Sequence, residues 1–118
     1  MTQYLVLIYG NEQRWQTASA AEMRQIDAGH RAFRAKAGTA VLSAGELQPP
    51  AAATSLRAGP ADRPTVTDGP FLETKEVVGG FYVLEAANLD EAVTLVAELA
   101  EVAHDHSGVE IRPLVDHG

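Results

Sequence analysis

No cysteine occurs in the chain, which excludes disulfide bonds, thiolate nucleophiles and Cys-ligated zinc. Positive charge is scarce as well. Nine Lys/Arg face 16 Asp/Glu for a net charge of −7, and no basic run exceeds a dipeptide. Nucleic acid and anionic membrane surfaces are therefore electrostatically poor partners. The apolar run at the N-terminus, Tyr4 to Tyr9, has no basic flank and is too short for a signal segment or a membrane span, so a soluble cytoplasmic protein is expected. Also missing are G-x-G-x-x-G, a P-loop, H-E-x-x-H and G-x-S-x-G, and with them the nucleotide, metalloprotease and serine-hydrolase readings.

What is present fits one domain spanning residues 1–118, 46% hydrophobic, with no repeat and no low-complexity segment. "QYLVLIYG" (Gln3–Gly10) reads as a strand apolar on both faces. "NEQRWQTA" reads as a polar loop holding the one tryptophan. Ser19 with Glu22 forms a capping box. Met23, Ile26, His30, Phe33 and Ala37 then recur at helical spacing up to Gly38. "TAVLSAGELQPP" supplies a short strand stopped by its prolines, and Thr54–Arg57 against Thr65–Thr67 reads as a hairpin. Gly79–Ala86 is a further strand apolar on both sides. Asn88 with Glu91 caps a second helix, whose stripe runs Leu89, Ala92, Val93, Val96, Leu99 and Ala100. "GVEIRPLV" closes the chain as an alternating strand.

The order βαβ, inserted hairpin, βαβ gives an α+β fold, a ferredoxin-like sandwich of four antiparallel strands backed by two helices. Those helices cover one sheet face only. Leu5-Val6-Leu7-Ile8 and Phe81-Tyr82-Val83-Leu84 are apolar on both. An uncovered apolar face exceeds what a monomer ordinarily exposes, so the pattern predicts a homodimer packed sheet on sheet.

The most information-rich stretch is "VTDGPFLETKEVVGGFYVLE", Val66 to Glu85. A hairpin needs only two permissive residues at its turn; here Asp68-Gly69-Pro70 is followed by Phe71, Glu73, Lys75 and Glu76. The segment reads as an arm crossing to a second subunit, with Phe71 as its apolar anchor and its charges at a polar rim.

Together with "YLVLIYG", "AGELQPP" and "VEIRP", this stretch resembles the YCII-related family, and more narrowly its DGPF-motif branch, from about Gln3 to Pro113. The resemblance implies a dimeric α+β barrel. It also implies bacterial proteins of mostly unknown activity, often encoded beside extracytoplasmic-function sigma factors, with dehalogenating or lyase-like relatives acting on small aromatics. It further implies a His-Asp active-site pair. Asp68 to Phe71 match the motif and Glu73 to Glu76 its continuation. His106 falls near a histidine frequent in the branch. The family's first-helix histidine registers at Asp27, with His30 one turn later.

The residues themselves allow two readings of each candidate. Asp68 is either a turn aspartate accepting backbone N–H bonds or a pocket base. His30 is either a core histidine with one hydrogen-bond partner or an imidazole lining a pocket, with Asp27 one turn away to orient it. His106 either reaches that pocket or begins the last strand. Tyr9 and Trp15 flank the first loop as an aromatic lip over a ligand, or Trp15 staples the loop to the domain. His104-Asp105-His106 has an H-x-H form, but no third ligand at motif spacing accompanies it, so no metal is expected, nor any cofactor. Two functions follow. One is a cofactor-free enzyme using Asp68 with His30 or His106 as acid–base pair, and binding its small-molecule ligand with Tyr9, Trp15, Asp27 and Phe71. The other is a non-catalytic module binding a ligand or partner in regulation. A cavity holding Asp68 and a histidine together favours the first.

Overall fold

The computed structural model describes all residues 1–118. Its elements are β1 (Thr2–Asn11), α1 (Glu12–Gln16), α2 (Ala20–Ala37), β2 (Val41–Glu46), β3 (Thr54–Ala58), β4 (Pro64–Asp68), β5 (Glu76–Ala86), α3 (Leu89–Val96) and β6 (Ser107–Pro113). Strands β2, β5, β1 and β6 lie side by side in that order, each neighbouring pair antiparallel. This is the ferredoxin-like arrangement, with β1 and β5 central. No helix is long and apolar enough to cross a membrane.

Both expected caps form. Ser19 Oγ accepts from the Glu22 N–H at 3.1 Å, and Asn88 Oδ1 from the Glu91 N–H at 2.9 Å. Helix α2 stops at Gly38, whose φ of 55° few other residues adopt readily. Three boundaries differ from the sequence pattern, the first being that β5 starts at Glu76 and not at Gly79. The segment read as a polar loop contains α1, because Asn11 Oδ1 caps it by accepting from the Arg14 N–H at 3.1 Å. The stripe read as one helix to Ala100 ends at Val96: Leu99 is extended (φ −69°, ψ 130°), and a separate 3₁₀ turn covers Ala100–Val102.

The core lies between the helices and one sheet face. Tyr4, Val6 and Ile8 of β1 and Tyr82, Leu84 and Ala86 of β5 alternate into it, meeting Phe33, Ala92, Val96 and Leu99. On the opposite face Leu5, Leu7, Tyr9, Phe81 and Val83 are only half-buried. The pairing of β1 with β5 slips by one residue between Ile8 and Tyr9, so that Gly79 is an extra residue, a β-bulge.

Strands β3 and β4 pair only with each other and stand apart from the main sheet. Ser55 Oγ, donating to the Gly69 carbonyl at 2.7 Å, and the Gly69 N–H, donating to Ala53 O at 2.7 Å, fasten the base of this arm. Leu56 and Val66 remain largely exposed along it. The arm gives the chain a radius of gyration of 16.4 Å, against roughly 13.5 Å for a compact domain of this length.

Candidate functional site

A chain of hydrogen-bonded side chains joining three parts of the fold centres on His30. Its Nδ1 lies 2.6 Å from the Tyr82 hydroxyl on β5, and its Nε2 2.8 Å from Glu101 Oε2. Glu101 sits in the 3₁₀ turn after α3 with its side chain 5% exposed, while the imidazole is 24% exposed. Gly29 explains how α2 comes so close. A Cβ there would fall 2.7 Å from the Ala100 backbone nitrogen, so any larger residue would push His30 away from Glu101. Phe33, one turn further along α2, packs on the Tyr82 ring at 4.6 Å between centroids and fixes it from the core side.

The donors can be assigned from chemistry. A carboxylate only accepts, so an ionised Glu101 takes the Nε2 hydrogen of His30. The Nδ1 atom of a neutral imidazole is then an acceptor, and the Tyr82 hydroxyl donates to it. The remaining oxygen of Glu101, Oε1, is buried with no partner. Leaving such an atom unpaired costs free energy.

Tyr82, His30 and Glu101 line a cleft of about 540 Å³ bordered by α2, the first half of β5, the end of β2 and the segment from Leu47 to Pro50. That volume suits a small organic ligand. Ile8 and Gly80 contribute to it from the sheet, Met23 and Ile26 from α2, and Trp15 from α1. Its charged lining comprises Glu12, Asp27, Glu46, Glu101 and one cation, Arg34, whose guanidinium lies 5.4 Å from the Tyr82 ring centroid.

Of the residues singled out from sequence, His30, Asp27 and Trp15 line this cleft; Asp68, His106, Tyr9 and Phe71 do not. Asp68 ends β4, exposed, on the arm. Phe71 is exposed and carries the Arg57 guanidinium 3.7 Å above its ring. Tyr9 lies on the sheet face away from the helices. His106 has Nδ1 2.9 Å from Ser107 Oγ and Nε2 3.8 Å from Glu22 Oε2, and its ring packs on His104 at 5.1 Å. The cleft therefore joins a histidine to Tyr82 and Glu101, two residues the sequence pattern passed over. Tyr82 sat within an apolar strand run, where only its hydroxyl hinted at a polar task. Glu101 lay beyond the helical stripe, and only the 3₁₀ turn points it inward.

Two comparisons bear on this geometry. The YCII-related domain matches residues 2–116. An uncharacterised protein of Rhizobium meliloti (strain 1021), R00369, is 36% identical over 115 residues, covering 94% of this chain and 90% of that protein. With the family's domain spanning nearly the whole chain and a full-length relative at this identity, the protein belongs to the YCII-related family.

Proposed function

We propose that the chain binds a small organic molecule in the cleft and moves a proton on it, without cofactor, through Tyr82, His30 and Glu101. The observation that supports this reading is the double clamp on His30 beside the unpaired Glu101 oxygen. In the proposed step the ligand's acidic proton passes to the Tyr82 oxygen while the tyrosine's own proton passes to His30 Nδ1. The ligand is left as an anion, and the imidazolium that forms stays paired with the Glu101 carboxylate. Arg34 compensates the charge developing on the ligand.

The test is solvent exchange. Small aryl ketones with a C–H next to the carbonyl that bind the protein are incubated in D₂O and followed by NMR for loss of that C–H signal. Wild type speeds the exchange, and Tyr82→Phe or His30→Gln removes roughly a hundredfold or more of that rate. Ligands that bind but never exchange overturn the catalytic reading. They leave the second one, a ligand-binding module in a regulatory setting such as the resemblance to sigma-factor-linked proteins implies.

We further propose that the protein works as a cytoplasmic homodimer of the DGPF-motif branch. Support comes from the half-buried apolar face of Leu5, Leu7, Phe81 and Val83, and from the free-standing arm, since an isolated two-stranded hairpin is marginally stable alone. Phe71 and Asp68 then belong to the arm's contact with the second copy. Sedimentation at micromolar concentration should give two chains per particle. A stable monomer there sinks the proposal.

A further inference from the structure

Trp15 lies flat across the sheet. A Cβ on Gly10 would fall 2.2 Å from its indole and one on Gly79 2.5 Å, so both strands must carry glycine beneath it. Its edge is tied as well: Nε1–H donates to Ser107 Oγ at 3.2 Å. An indole nitrogen can only donate, so the serine oxygen accepts, and the same hydroxyl shares a hydrogen bond with His106 Nδ1 at 2.9 Å. On its other side His106 Nε2 faces Glu22 Oε2 at 3.8 Å. One indole face rests on backbone and the edge is fixed from outside the cleft. Trp15 is partly buried against the core and also lines the cleft.

From this geometry we infer that Trp15 is the specificity wall of the cleft, a rigid surface that selects a planar unsaturated ring, and that Ser107 and His106 are the positioning residues that hold it. The inference rests on the cleft being the ligand site proposed above. A fixed indole face gains from stacking against a flat π-system and gains less against a puckered saturated ring of equal size. A wall free to tilt discriminates less, because ordering it on binding costs entropy.

Phenol and cyclohexanol form the test pair, titrated into the full chain with affinities read from backbone amide NMR shifts. As the one tryptophan present, Trp15 also gives an independent fluorescence reading. Wild type prefers phenol, and Ser107→Ala or Trp15→Leu lowers that preference by roughly two- to tenfold, the worth of one aromatic contact. Ser107→Thr, which keeps the hydroxyl, restores it, and His106→Leu behaves like Ser107→Ala. A purely structural role for Ser107 would weaken both probes equally, leaving the ratio unchanged, and that result overturns the inference while leaving the cleft intact as a site. Equal binding of the two probes by wild type overturns it in the same way. If neither probe shifts a cleft resonance, the inference and the ligand-site reading fall together.

Discussion

Replacing His30 with leucine is expected to lower the unfolding free energy by about 3 kcal/mol, the lower end of the range for stripping one partner from a buried pair. The lower end applies because the imidazole is 24% exposed and water reaches that side of Glu101 once the ring is gone. The penalty comes from the carboxylate left behind: Oε1 already lacks a partner, and removal of the Nε2 hydrogen strands Oε2 as well. Adding Glu101→Leu to the same chain should recover at least half of the loss, because no buried charge then remains. Urea denaturation at fixed protein concentration measures both, with the slope unchanged if only stability moves. A loss under about 1 kcal/mol for the single change would show that Glu101 finds another partner, and the clamp would lose its structural weight.

Phe33→Ala is expected to cost about 3–5 kcal/mol, the usual price of emptying a fully buried aromatic position. Phe33 has no exposed surface and stacks obliquely on Tyr82, with 56° between the ring planes. Its removal therefore reaches the site as well as the core: the phenol ring gains room to swing, and its hydroxyl leaves His30 Nδ1. Phe33→Leu fills most of the volume and should cost about 1.5 kcal/mol or less. Denaturation curves for the two variants, with exchange rates on folded protein, separate stability from chemistry. If Phe33→Ala costs no more than Phe33→Leu, the surrounding side chains collapse into the space and Tyr82 is held by its hydrogen bond alone.

The elements that pattern could see were those whose apolar period runs unbroken between recognisable ends. Ser19 and Asn88 announced both long helices, and Gly38 the end of the first. Helix α1 escaped because its five residues are too few to show a period and none is buried. The end of α3 escaped for another reason: nothing in "VAELAEVAH" breaks a helix locally, and the turn at Leu99 is imposed by packing against the sheet and α2. That turn is also what makes Glu101 internal, so the missed boundary and the missed site residue share one cause. His30 was legible because a polar residue inside an apolar stripe stands out. Tyr82 was not, because a tyrosine in an apolar strand does not. Asp68 drew attention through a dense local motif, but local density does not reveal which distant residues a side chain will meet.

The extra residue at Gly79 separates β5 into two stretches of independent phase. Every pairing with β2, and every core residue of β5, lies on the Gly80–Ala86 side; Glu76, Val77 and Val78 lie on the other. Gaining or losing one residue in a regular strand turns all its side chains to the opposite face. Here the bulge takes up such a slip locally, so the Glu76–Val78 end of the strand changes phase while Tyr82, Leu84 and Ala86 keep their orientation. A strand divided in this way keeps its core half in one phase whatever happens at its outer end.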